Sequence, residues 1–286
     1  MLQSEYNVLI VDDDPDVLAV SKLAMRGFKP LNLPIQLYTA SSKAEAIEVL
    51  QRDLSTPAYP GGNFAVALID VVMETDTAGL ELCDYIRNTL NNRFAQLYIR
   101  TGQPGVAPER DVINRYDING YFTKVEATED KLFTIINSGV RENIFTLTAL
   151  ALLDLLPVLA AFSDSRDAML GVMDQAAATI GQRFKSAMFI GDRVIPFGME
   201  LGEAQDVRNR LLTMPSMPLG MTGLPFPTEG DHYVVDNNTT LIHVAESQVT
   251  TGADYLTITE APVPRTSVEL MYKFMRAFAS LWSKAN

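Results

Sequence analysis

Residues 64–69, FAVALI, are an unbroken apolar run followed at once by a carboxylate, Asp70. The run is too short for an ordinary helix and suits a strand buried on both faces, the kind found in parallel sheets. An aspartate at the exit of such a strand stands on the carboxyl edge of the sheet, where open α/β folds place their sites. Asp70 taken alone also fits a plain turn former. Beyond it, Met73 packs back, Gly79 permits a tight backbone and a helix opens at Leu80.

The neighbouring segments repeat the pattern. Tyr6–Val11 reads as a second buried strand, followed by Asp12, Asp13 and Asp14. Asp14 suits a helix N-cap and Pro15 the first turn. Capping needs only one acid, and three adjacent carboxylates repel one another unless a cation lies near. A solvated turn is the other reading. Ile35–Thr39 is strand-like, and 41–50 is an amphipathic helix capped by Ser41 or Ser42. A Pro/Gly-containing loop covers 51–63, and 80–90 forms a helix with Leu82, Cys83 and Ile86 inward. Gln96–Thr101 is a fourth strand, 106–116 a short helix and Tyr121–Lys124 a fifth strand. Strands alternating with helices predict a five-stranded, doubly wound parallel sheet. Asp12, Asp13, Asp70, Thr101 and Lys124 would then share one sheet edge. Phosphoryl transfer to a carboxylate needs such a set: a nucleophilic Asp, carboxylates for a divalent cation, and a hydroxyl and an ammonium for the phosphoryl oxygens.

Charge narrows the function classes. The 286 residues carry a net charge of −12, which argues against a nucleic-acid or anionic-membrane output. The lone cysteine, Cys83, excludes an intramolecular disulfide and is read as core packing. Acids arrive by Glu5 and Asp12, unlike a secretory leader. The apolar stretch 147–162 contains Asp154 and Pro157 and is read as too broken to span a membrane. A cytoplasmic protein is expected.

The motifs VDDDP (11–15), LIDVVM (68–73), RTG (100–102) and YFTK (121–124) together resemble the receiver domain of bacterial response regulators over residues 4–140. The resemblance implies a flavodoxin-like fold and Mg²⁺ as cofactor. It makes Asp70 the phosphoacceptor, Asp13 a direct metal ligand and Asp12 a ligand through water. The Val72 carbonyl becomes a further ligand, and Thr101 and Lys124 hold phosphoryl oxygens. Thr101 and Tyr121 become the switch pair, with plain strand burial as the other reading of Tyr121. The implied partner is a sensor histidine kinase or a histidine phosphotransfer protein. Three departures stand out. Glu74 replaces a usual proline, the glycine at 79 comes one position late, and Val125 replaces the proline after the lysine. VVMETDTAGLEL, RTGQPGVAPERDVI and YDINGYFTK resemble a subgroup in which a domain of unknown function follows the receiver, often ahead of an HD-GYP phosphodiesterase domain.

A helical pattern continues from 128 to about 162, with Pro157 kinking or ending it. It is either a mechanical link or a connector buried in the second domain. Helices are read over 165–180, 203–212 and 267–282. Strands are read over 184–190, 193–197, 233–236, 241–246 and 255–259, the first two as a hairpin about Gly191-Asp192. The Met-rich 214–230 reads as a loop. The order resembles an α+β GAF-like domain, a fold analogy with little functional content. The expected division is receiver 1–140, helical connector 141–163 and GAF-like domain 164–286. His232 and His243 are the only histidines, too few for an HD-type metal centre, and His243 within a strand reads as a satisfied core histidine.

These readings give a phosphorelay response regulator with a non-DNA-binding C-terminal domain. It has no enzymatic activity beyond self-phosphorylation and self-dephosphorylation. It signals through a downstream protein partner, with a homodimer through residues 128–155. The alternatives are a small-molecule sensor regulated by the receiver, or a stand-alone phosphate-drain adaptor. Val72 and Gln103, at places that flank the attacking water, lead to the expectation that apolar Val72 slows hydrolysis.

Overall fold

The structure is a computed structural model describing residues 5–53, 63–102, 109–180, 185–219, 230–247, 251–259, 263 and 265–285. The chain divides into two compact units, 3–147 and 148–286. The boundary falls inside a helix, within the segment 141–163 expected to be the connector.

The first unit holds five strands: β1 (Tyr6–Val11), β2 (Ile35–Ala40), β3 (Phe64–Asp70), β4 (Gln96–Thr101) and β5 (Gly120–Thr123). They form one sheet in the order β2-β1-β3-β4-β5, every pair parallel. All seven residues of β3 are buried, as its apolar run requires. Alternation along the strands supplies two cores, one on each face. Leu9, Val11, Ala67, Ile69, Leu97 and Ile99 build one. Val8, Ile10, Val66, Leu68 and Phe122 build the other. Each fully buried Val, Leu or Ile contributes about 1.5–3 kcal/mol relative to exposure, so this double burial is the sheet's main support.

Helices α1 (Pro15–Ala24), α2 (Lys43–Asp53), α3 (Ala78–Asp84) and α4 (Glu109–Tyr116) connect the strands. Asp14 caps α1: its side chain accepts the Asp16 N–H at 2.9 Å, and Pro15 takes the first helical position. The helix expected over 80–90 starts two residues earlier, as α3, and continues as a wide π turn over Tyr85–Thr89. Cys83 is fully buried in α3, and burial pushes its thiol up to about 12. It is a packing residue, not a nucleophile. Glu74, which replaces a proline in the resemblance, accepts the Lys43 N–H at 3.0 Å at the start of α2. A carboxylate suits that helix end. Lys43 in turn pairs with Glu81 on α3. The departure after β3 thus ties two helix starts together.

Helix α5 (Glu129–Ala161) runs 33 residues and does not end at Pro157. It is the one described helix long and apolar enough, by length and composition, to cross a membrane, and only 6% of its most apolar window is buried. The helix runs through Asp154 and Pro157 without ending, and the Phe162 N–H bonds the Leu159 carbonyl at its close.

The second unit contains α6 (Arg166–Ile180), β6 (Lys185–Ile190), β7 (Arg193–Phe197), α7 (Leu201–Leu211), β8 (Met217–Pro218), β9 (His232–Asp236), β10 (Thr239–Val244), β11 (Ala253–Ile258) and α8 (Arg265–Trp282). Its strands form a six-stranded antiparallel sheet in the order β7-β6-β11-β10-β9-β8. Phe274, Met275, Phe278 and Trp282 of α8 pack with Met188, Ile190, Ile242 and Val244 on one face. Ala204 and Leu211 of α7 pack with Ala187, Phe189, Leu241 and Leu256 on the other. The two-residue β8 lies in the segment read as loop. Residues 220–229 of that segment lie outside the described residues.

Candidate functional site

Parallel order brings the carboxyl ends of β1, β3, β4 and β5 to one edge, with β3 between β1 and β4. Asp12 follows β1, Asp70 is the last residue of β3 and Lys124 follows β5. The same alternation that builds the cores places Asp12, Asp70 and Arg100 on the face carrying Val8, Val66 and Tyr98.

Asp12 is fully buried and its oxygens are occupied. Arg100 donates to Oδ2 at 3.0 Å. Lys124 and the Asp14 N–H donate to Oδ1 at 3.0 and 3.1 Å. Lys124 Nζ also lies 2.6 Å from Asp70 Oδ2, so one ammonium bridges two aspartates from different strands. The other Asp70 oxygen, Oδ1, is buried with no hydrogen-bond partner among the described residues. Asp13 is exposed. An open cleft above these groups is lined by Asp13, Asp14, Asp70, Val72, Gly102 and Lys124.

The electrostatics favour a further cation. Burial holds the Asp70 carboxyl above its usual range, more than the Lys124 hydrogen bond pulls it down. Its ionised form is therefore a cost to the fold. The neutral form's contribution to stability is fully present below the ordinary carboxylate range and is lost as pH rises through the elevated value. One ligand oxygen each from Asp12, Asp13 and Asp70 lie within 4.8 Å of one another. An all-oxygen set of this kind, with an orphaned carboxylate oxygen, fits a hard divalent ion such as Mg²⁺.

Gly79 sets the backbone beside Asp70. Its N–H donates to the Val71 carbonyl at 3.1 Å. A Cβ there would stand 1.8 Å from the Asp70 carbonyl oxygen, a backbone atom that cannot swing aside. Gly79→Ala is expected to push β3 and α3 apart, destabilise the unit by about 1–3 kcal/mol or more, and displace Asp70. Faster amide exchange in α3 would verify this. Unchanged exchange would contradict it.

The remaining expected residues are placed as follows. Thr101 is fully buried at the end of β4, and its neighbour Gly102 lines the cleft. Val72 is half-buried and lines the cleft. Tyr121 is half-buried in β5 against the core that includes Ile99 and Val112. Gln103 lies outside the described residues. Sequence reasoning missed Arg100 and Ser21. Arg100 is 2% exposed and donates to Ser21 Oγ at 2.7 Å as well as to Asp12. One signal was present: an arginine inside a strand buried on both faces must find an acid, because an unpaired buried charge is prohibitive.

No family model matches the chain. The 3′3′-cGAMP-specific phosphodiesterase 2 of Vibrio cholerae serotype O1 is 43% identical over 139 residues, 49% of this chain and 25% of that protein. The chain thus aligns with about a quarter of the curated relative's length. That relative is an enzyme by name, which overturns the expectation that this chain has no enzymatic activity beyond handling its own phosphoryl group. Among solved structures, the signal receiver domain of an HD domain-containing protein from Pseudomonas fluorescens Pf-5 is 16% identical, covers 49% of this chain and 97% of its own, and has a TM-score of 0.39. Vibrio cholerae chemotaxis protein CheY4 is 20% identical over 47% and 98%, with a TM-score of 0.37. A CheY-like receiver domain from Methylobacillus flagellatus is 16% identical over 47% and 98%, also at 0.37. By its own strand order the N-terminal half of this chain is a doubly wound, flavodoxin-like parallel sheet, with Asp12, Asp13, Asp70 and Lys124 gathered at its carboxyl edge.

Proposed function

We propose that the chain accepts a phosphoryl group on Asp70 and that this modification regulates hydrolysis of a cyclic dinucleotide. The observation that carries the first part is the Lys124 bridge between Asp12 and Asp70 beside an orphaned Asp70 oxygen. The second part is supported by the name of the relative.

Asp70 attacks the phosphorus of a phosphohistidine on a sensor kinase or phosphotransfer protein. An aspartyl O–P bond forms, the donor's P–N bond breaks, and the imidazole leaves with the electron pair. Lys124, already 2.6 Å from Asp70, is placed to pair with a phosphoryl oxygen. Asp13 and the second Asp70 oxygen would hold Mg²⁺ directly, with the Val72 carbonyl. Asp12, whose oxygens are taken by protein donors, would act through water. Bound Mg²⁺ supplies charge neutralisation of the transferring group. Thr101 is assigned to a phosphoryl oxygen and Tyr121 to the switch. Val72 lines the cleft without a polar group to orient water, so Val72→Asn is expected to shorten the phosphoprotein's lifetime. An unchanged rate of phosphate release would count against that role.

The second unit, with helices on both faces of an antiparallel sheet, is read as GAF-like, and the cellular site as cytoplasmic. Fractionation of the expressed chain with membranes would contradict the latter. Leu150, Leu153 and Val158 are exposed on α5, which supports a second copy of the chain as a partner. A monomer mass by light scattering, with and without beryllofluoride, would exclude it. The functional test is hydrolysis of 3′3′-cGAMP by the purified chain, with and without acetyl phosphate and Mg²⁺. A rate that changes on phosphorylation is expected. A rate indifferent to it, or no hydrolysis, would refute the regulatory half of the proposal.

A further inference from the structure

The two histidines of the chain, absent from the site above, meet on the second unit's sheet. His232 of β9 and His243 of β10 are directly opposed in the antiparallel ladder. Opposed residues share a sheet face. Their ring centres are 4.6 Å apart with planes inclined at 33°. Both rings are half-buried, open to solvent on the remainder.

The partners of each Nδ1 fix the tautomer. His243 Nδ1 lies 2.6 Å from Asp254 Oδ1, and His232 Nδ1 lies 2.7 Å from the Gly230 carbonyl. A carboxylate and a carbonyl only accept, so each Nδ1 carries the proton. In the neutral rings each Nε2 is then left with its lone pair free. An acceptor on the far nitrogen is the arrangement that orients metal-binding histidines and raises their basicity. Asp254 is itself held by Arg208, whose guanidinium lies 4.7 Å over the Phe189 ring. The support therefore extends from β10 through β11 to α7 and β6.

The ring spacing has room for a chelate. With metal–nitrogen bonds of about 2.0–2.1 Å, an ion on both Nε2 atoms at an angle of about 90–110° holds the ring centres about 4.5–5.2 Å apart. The observed 4.6 Å falls inside this window. Two adjacent imidazoles select a borderline transition ion over Mg²⁺ or Ca²⁺. We infer that His232 and His243 form a two-histidine site for a divalent transition ion such as Zn²⁺, positioned by Asp254 and the Gly230 carbonyl, with its other coordination positions open to water or a partner's ligand.

The inference is independent of the proposed function and is tested on the full chain in millimolar Mg²⁺, which occupies the carboxylate site. Calorimetric titration with Zn²⁺ should show one equivalent that the double variant His232→Gln/His243→Gln lacks. Asp254→Asn should keep the stoichiometry and weaken binding by about 10–100-fold, the usual effect of losing the carboxylate that backs a ligating histidine. Imidazole ¹⁵N spectra of the metal-free chain should show protonated Nδ1 in both rings. Unchanged Zn²⁺ uptake by the double variant, or no uptake by the wild type, would overturn the site. So would an Nε2-protonated tautomer in either ring.

Discussion

Asp70→Asn is expected to leave the chain folded and unable to form an acyl phosphate from acetyl phosphate and Mg²⁺. The amide keeps the shape of the side chain but removes the nucleophilic carboxylate oxygen. Asp70 lies at the buried exit of β3, 2.6 Å from the one lysine of the cleft, and no other acid takes that place. Asp12 is unsuited, since both of its oxygens are occupied by Arg100, Lys124 and the Asp14 N–H. Asp13 lines the cleft but is exposed to solvent and not paired with Lys124 among the described ion pairs. The expected effect is therefore complete loss, not a slower rate. Near-UV circular dichroism matching the wild type, with no phosphoryl incorporation, checks both halves. Residual incorporation at the wild-type rate would refute the assignment.

The second large effect is expected at Arg100. Arg100→Met retains much of the side-chain volume and removes the charge that faces Asp12 from beneath. Both partners are almost wholly inaccessible, at 2% and 0% exposure. Leaving one member of a buried pair unmatched costs about 3–5 kcal/mol, and Lys124 offsets only part of this because Asp70 shares it. The variant should open more readily at the β1 and β4 ends in metal-free buffer. Mg²⁺ should stabilise it more than it stabilises the wild type, since an added cation replaces part of what the guanidinium supplied. Hydrogen exchange of the β1 and β4 amides, with and without Mg²⁺, measures this directly. Equal protection of both proteins in metal-free buffer would show that Asp12 does not depend on Arg100. The wild-type chain thus carries a permanent cation beside Asp12.

The parallel sheet was legible because strands buried on both faces must be apolar throughout. Tyr6–Val11 and Gln96–Thr101 begin and end where the sequence places them, and β3 runs one residue past the apolar run, to Asp70. The site was legible for a related reason: a charged residue ending such a run has only the sheet edge to occupy. Arg100 was hidden inside its run, because period-two alternation states which face a residue takes but not which acid it reaches across the sheet. The course of α5 past Pro157 was not legible from the proline alone, since a proline inside a helix can either kink or end it. The strand β8 was hidden for a simpler reason. Two residues, one of them proline, carry no periodic signal, and that strand exists only by pairing with β9. The histidine pair depends on the register of β9 and β10, which composition does not specify.

The most direct measurement is to treat the native chain with acetyl phosphate and Mg²⁺, reduce it with borohydride, and map the modified residue by tandem mass spectrometry. An acyl phosphate at Asp70 is reduced to homoserine, so homoserine at position 70 and nowhere else is the predicted result. Homoserine at another carboxylate, or an intact aspartate at 70 in a chain that has taken up phosphate, would contradict the account.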